Sequence, residues 1–164
     1  MGSEMCIRDR HKGSLYGSFK SKENLFFMCL DHYVAGKSED FLNSGLQAKS
    51  YLRTFFLSKL NASVERKAKG CLLMNVCVEL APLKGRASLK KVNRLLEGTQ
   101  KNFECAVQSG VLSGELSKKI DVKKTSERLL ALAFTMEEMG KIGKSKAFLR
   151  NIANGTLQDL NIKI

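Results

Sequence analysis

The sequence has no tryptophan and a single proline, and the apolar–polar alternation typical of strands is scarce. No apolar run approaches the roughly 20 residues that a membrane-spanning helix needs. Because proline breaks and strand signals are both rare, the longer apolar patterns are better explained by helical periods of three and four residues. We therefore expect an all-α protein with no membrane partner.

Histidine is also scarce, and the cysteines are odd in number. None of the cysteines is spaced as in a zinc site, so we expect no metal and no cofactor. Unpaired, reduced thiols are typical of a cytoplasmic protein. The five cysteines are Cys6, Cys29, Cys71, Cys77 and Cys105.

Patterns that would indicate catalysis are missing from the sequence. It shows no Ser–His–Asp set, no paired carboxylates at a useful spacing and no phosphate-binding loop. The two histidines, His11 and His32, have no evident catalytic companions. We therefore predict that the protein is not an enzyme.

Positive charge is abundant. The 164 residues include 28 Lys and Arg against 16 Asp and Glu, for a formal net charge of +12. The densest basic runs fall in residues 84–94 and 118–124, and such runs are usually solvated helix faces. The charge favours weak attraction to polyanions but gives no sequence specificity.

The most informative segment is residues 12–26, KGSLYGSFKSKENLF. Leu15, Tyr16 and Phe19 can pack on one face of a short helix. Ser21 stands where the N-cap of the next helix belongs, and Glu23 adds favourable negative charge to its first turn. The pattern predicts a short helix, a break and a longer helix.

This segment closely resembles the recognition helix of TetR-family transcriptional repressors and the start of their following helix. An ordinary amphipathic helical hairpin is the alternative. The resemblance implies that the helix enters the major groove of operator DNA, with Lys12, Ser14 and Tyr16 among the contacts. The residues assigned to this DNA-binding motif are Lys12, Gly13, Ser14, Leu15, Tyr16, Phe19 and Lys22.

The position of the motif is unusual, because members of this family carry two helices before the recognition helix. Residues 1–11 have no room for them and show no helical period. Residues 5–10 (MCIRDR) are also what a transposon end used in library preparation would encode. We expect residues 1–11 to be a non-native or disordered tail, residues 12–36 a remnant of the DNA-binding head with its linking helix, and residues 37–164 a ligand-binding and dimerisation domain.

Apolar periodicity and capping residues predict the remaining helices. Asp121 is the expected N-cap of one of them, and Gly110 is the expected C′ glycine of another. The expected helical segments are 22–36, 39–61 as one helix or two, 70–82, 86–110, 121–139 and 145–157.

Segment 70–82 is apolar nearly all round, which predicts the buried central helix, ended by Pro82. Asn75 and Glu79 project from one face, either as the polar edge of the helix or as polar groups in a ligand pocket. Met74 is a further expected pocket residue. The family resemblance extends to the regulatory part and implies a small-molecule effector and a homodimer through the last two helices. Met136, Met139 and Phe148 are the apolar residues expected to be exposed in a lone subunit.

Residues Gly70–Leu72 also resemble the site of an electrophile- and oxidant-sensing cysteine in NemR-type members of the family. That resemblance implies a thiol-based sensor acting through Cys71, with Lys141 as its partner. Cys71 would begin a helix, where the dipole lowers a thiol pKa. The alternative is that Cys71 is a small hydrophobic residue of the core.

Overall fold

The computed structural model describes residues 19–35, 40–64, 70–80 and 86–164, and it confirms an all-α fold. These ranges contain seven α-helices and one short 3₁₀-helix (Gln158–Leu160). The α-helices are α1 (Lys22–Ala35), α2 (Phe41–Ser44), α3 (Ala48–Ser63), α4 (Leu72–Leu80), α5 (Arg86–Ser113), α6 (Val122–Lys141) and α7 (Lys146–Leu157). No helix in the described ranges has the length and apolarity needed to cross a membrane.

The predicted break before α1 is confirmed. Lys20 has a φ of 62°, in the left-handed region, so the chain turns sharply there. The Ser21 side chain then accepts a hydrogen bond from the Asn24 N–H at 3.0 Å, and its backbone carbonyl accepts one from Leu25 at 3.1 Å. Ser21 is therefore the N-cap that the sequence predicted.

Segment 39–61 forms two helices, α2 and α3. Gly45 separates them with a φ of 65°, a conformation that glycine adopts without strain. Asn102 on α5 binds both pieces: its carbonyl oxygen accepts from the Phe41 N–H at 2.7 Å, and its amide donates to the Tyr51 hydroxyl at 2.9 Å.

The prediction that Gly110 ends its helix was wrong. α5 continues to Ser113, and Gly114 is the residue with the positive φ, 82°. Gly110 is buried within the helix, where an added Cβ would lie 2.9 Å from the Cβ of Ala48. The glycine at this position allows α3 to approach α5 closely.

Segment 70–82 was also wrongly predicted as the central helix. In α4, Val78 is 71% exposed and Glu79 is exposed as well. The centre is α6, which packs against α3, α5 and α7.

Two predicted features were confirmed: Asp121 caps α6 by accepting from the Lys124 N–H at 3.0 Å, and α7 begins close to the predicted start. Pro82 and residues 1–18 and 36–39 fall outside the described ranges.

Buried apolar side chains form two clusters along the bundle. The larger lies among α3, α5, α6 and α7, and it includes Phe56, Phe103 and Met136. The smaller joins α1, α4 and α5 through Leu30, Leu73 and Val92. Met136 is fully buried within its own subunit, so the expectation that a lone subunit would expose it was wrong.

Candidate ligand cavity

A small cavity of about 40 Å³, hereafter the core cavity, lies where the two apolar clusters meet. Helices α1, α3, α4, α5 and α6 all contribute residues to its wall. Its apolar lining consists of Val34, Phe55, Leu73, Ala133 and Phe134. A space of this size can hold a water molecule or one small chemical group.

The polar lining is centred on an ion pair. Lys59 on α3 and Glu137 on α6 meet at 2.5 Å, with side chains that are 15% and 8% exposed. The Lys59 ammonium also lies 5.4 Å from the centre of the Phe55 ring. Since an unpaired charge at such depth would be costly, the pair stabilises both charges inside the protein. Tyr33, Cys71 and Thr99 complete the polar lining.

Cys71 stands immediately before α4 and is 3% exposed. Burial raises the pKa of its thiol above the ordinary value, and the Glu137 carboxylate raises it further. Backbone N–H groups of Met74 and Leu73 lower this pKa only in part. The expected lowering at the helix N-terminus is therefore present but outweighed, and the prediction of a lowered pKa was wrong.

Side chains from two other helices hold the N-terminus of α4. Glu138 on α6 accepts a hydrogen bond from the Cys71 N–H at 2.8 Å, and the Tyr33 hydroxyl on α1 accepts one from the Leu72 N–H at 3.1 Å. These N–H groups have no partner within α4 itself. The start of α4 is thus tied to both α1 and α6.

Two residues predicted to act at the pocket lie together. Lys141 donates to the Asn75 side-chain oxygen at 2.7 Å and lies 3.8 Å from Glu138. Asn75 and Met74 are half-buried, whereas Lys141 is exposed. Lys141 therefore contacts the same helix start as Cys71, through Asn75 and Glu138.

The predicted DNA-binding residues are only partly within the described ranges. Phe19 is half-buried beside the turn at Lys20, and Lys22 is exposed at the start of α1. The other five, Lys12, Gly13, Ser14, Leu15 and Tyr16, precede residue 19 and are not described.

Sequence reasoning missed the Lys59–Glu137 pair. One signal was available: Glu137 follows Ala133 by four residues, on the face that also carries Leu129. A carboxylate on an apolar helix face indicates a buried partner. The partner itself could not be found this way, because Lys59 lies 78 residues away in the chain.

Within the described ranges, no three His, Cys, Asp or Glu side chains form a group that could bind a metal ion. The core cavity thus offers one ion pair, a buried thiol, hydroxyl groups and apolar walls. Such a lining combines apolar walls with a few polar groups, as small-molecule sites do, in a space far smaller than those sites.

Comparisons with known proteins connect this architecture to transcriptional regulators. The chain is 30% identical over 152 residues to the HTH-type transcriptional repressor ComR of Escherichia coli (strain K12), covering 88% of this chain and 71% of ComR. A solved TetR-family transcriptional regulator from Cytophaga hutchinsonii has a similar fold, with a TM-score of 0.74 and 20% identity. That match covers 94% of this chain and 80% of the other. No family model matches the sequence.

Proposed function

The chain belongs to the TetR family of transcriptional regulators and is not an enzyme, and we propose that its core cavity receives a small effector that controls operator binding. In this proposal, the protein acts as a homodimeric repressor in the cytoplasm. Its DNA-binding head would include the motif at residues 12–22, and its effector would bind within the helical body.

The observation that carries this proposal is the presence of α1 in the cavity wall. Tyr33 and Val34 line the core cavity near the end of the helix that begins directly after the motif. A ligand that enlarges the cavity must move Tyr33, Val34 or their neighbours. Because a helix transmits displacement along its length, that movement would reach the head and change operator affinity.

Two contacts support a stiff connection between α1 and the body. Lys91 on α5 pairs with Asp31 at 2.6 Å, and the Tyr33 hydroxyl accepts from the start of α4. Both contacts lie near the C-terminal end of α1, so a shift of the cavity wall would act on the helix there.

The thiol-sensing alternative has one favourable observation, since Cys71 lines the same cavity. A molecule that reacted with this thiol would occupy the space that a reversible ligand would use. The raised pKa of Cys71 and its burial both slow such a reaction. Reversible binding is therefore the leading mechanism.

The test joins two helices of the kind that the family resemblance implies directly before Lys12, and it selects binding sites for this extended protein from random duplex DNA. We expect enrichment of a palindrome whose two half-sites reflect the dimer. The unextended chain is the matched control. It should show only weak binding that disappears with salt, as expected for charge alone.

One result would contradict the proposal. Enrichment of no common sequence by the extended protein would reject the operator-binding function. Strong preference of the unextended chain for one palindrome over scrambled DNA would support operator binding and show that the added helices are not needed for it.

A further inference from the structure

We propose that the effector of the core cavity is a small lipophilic amine, whose ammonium takes the place of the Lys59 ammonium beside Glu137. This inference rests on the proposed function and adds the chemical class of the ligand. A ligand that enters the cavity must displace one member of the buried Lys59–Glu137 pair.

Lys59 is the member of the ion pair that an entering ligand can displace. Its ammonium ends a flexible four-carbon stem, and its side chain already reaches solvent, at 15% exposure. Glu137 has a shorter stem, is 8% exposed and belongs to α6, the central helix of the bundle. An entering molecule can therefore displace the lysine towards water, while the carboxylate remains in the cavity.

The vacated position then requires a positive charge. The Glu137 carboxylate would lose the positive charge of Lys59 at this depth, so a neutral ligand that expels Lys59 is penalised. An anionic ligand would place a second negative charge beside Glu137. A protonated amine preserves the pairing and lets the Lys59 ammonium regain its hydration.

The aromatic lining favours the same class of ligand. The Phe55 ring already faces the Lys59 ammonium at 5.4 Å, and a ligand ammonium in that place would gain the same cation–π attraction. Phe134, Leu73 and Val34 provide an apolar wall for the body of the ligand.

The small size of the core cavity connects ligand binding to movement of α1. The cavity of about 40 Å³ is far smaller than pockets that enclose drug-sized molecules. Departure of the Lys59 side chain adds room for a compact molecule, and further space must come from the wall that Tyr33 and Val34 form. A ligand of this class would therefore also displace α1.

The experiment compares three molecules of similar shape: 2-phenylethylamine, 2-phenylethanol and phenylacetate. Dissociation constants are measured by calorimetry with the full chain at neutral pH and fixed ionic strength. We expect the amine to bind at least about tenfold more tightly than the alcohol, since its charge pairs with the carboxylate. Phenylacetate should bind most weakly.

Two variants separate this explanation from general charge effects. Glu137→Gln keeps the side-chain shape and should remove the preference for the amine. Lys59→Gln removes the competing ammonium and should tighten amine binding, which gives a second readout if the first variant folds poorly. Glu127→Gln is the control, because Glu127 is exposed on the same helix and should leave the order unchanged.

Tightest binding of phenylacetate, equal binding of all three molecules, or an unchanged order in Glu137→Gln would overturn the amine class. Those results would leave effector-controlled operator binding intact, because the cavity would still bind ligand. Saturable binding by none of the three would reject the amine class too, and the DNA selection described above would decide the repressor function separately.

Discussion

Gly140 is the residue at which α6 meets the end of α3 without room for a side chain. A Cβ at this position would overlap the Ser63 carbonyl oxygen and would lie 2.7 Å from the Ser63 Cβ. Since the nearest atom is backbone rather than the tip of a flexible side chain, the contact cannot relax locally.

We predict that Gly140→Ala destabilises the protein by about 1–3 kcal/mol, the range for overpacking a close contact. Gly98→Ala is the matched control, because a Cβ at Gly98 in α5 meets nothing within 4 Å. That control should be neutral or stabilising, since alanine favours helix over glycine by about 0.5–1 kcal/mol. Urea unfolding of both variants measures the difference, and equal effects would contradict the close contact.

The thiols should differ in reactivity in the order of their burial. Cys29 is exposed, whereas Cys71 is buried and burial raises the pKa of its thiol. Because the thiolate is the reactive form, we predict that limiting iodoacetamide at neutral pH modifies Cys29 before Cys71. The rate at Cys71 should rise with pH to a midpoint above that of a free cysteine.

Peptide mass spectrometry of the folded protein reads this order directly. Labelling of Cys71 ahead of Cys29 would show that the cavity admits the reagent and lowers the barrier to reaction. That outcome would restore the thiol-sensing mechanism, and Lys141→Ala would then test whether the lysine contributes.

At the scale of elements, helices with local signals were predictable from the sequence. Ser21 and Asp121 are caps that bond to N–H groups three residues on, so the residues that decide them are adjacent in the chain. The error at α4 has a different origin. Its apolar composition is the same whether it lies in the core or at its edge, and only long-range packing places α6 at the centre.

The same difference between local signals and long-range packing explains which site residues could be predicted from the sequence. Cys71 and Lys141 were selected by resemblance and Asn75 by its position on one helix face, and the structure brings the three to one helix start. Lys59 and Glu137 come from helices far apart in sequence, so no local pattern joins them. The pKa of Cys71 could not be inferred either, because its largest cause is burial by neighbouring helices rather than its place before α4.

The cap that α6 provides to α4 yields a prediction for Glu138. Glu138→Ala removes the acceptor for the Cys71 N–H, which leaves an orphan donor at the helix start. We expect amides of α4 to exchange with solvent about tenfold faster, corresponding to about 1.4 kcal/mol of local stability. Glu138→Gln keeps an acceptor oxygen and should retain most of the protection.

Hydrogen exchange read by mass spectrometry resolves this effect by segment. Amides of α7 serve as an internal reference, since the Ser145 hydroxyl caps that helix independently, by accepting from Phe148 at 3.2 Å. A uniform increase across α4 and α7 would indicate global destabilisation and would contradict a local role for Glu138.

At the scale of the whole molecule, dimerisation through α6 and α7 stays a prediction. Met136 cannot test it, because it is fully buried within the subunit and a charge there would disrupt the core. Phe148 is 40% exposed on α7, and Ile142 is 65% exposed in the turn between the two helices. These two apolar side chains are the better candidates for a contact with a second copy.

We predict that Phe148→Glu converts the dimer to a folded monomer, because a dimer with two-fold symmetry would bury the new charge twice. Leu112→Glu is the matched control: Leu112 is 78% exposed but lies on α5, so its replacement should leave the dimer unchanged. Light scattering at roughly tens of micromolar reads the oligomeric state, in a range where interfaces of ordinary size remain associated. Circular dichroism verifies that both variants keep their helices. A monomeric unaltered chain, or dissociation caused by Leu112→Glu and not by Phe148→Glu, would rule out the last two helices as the interface.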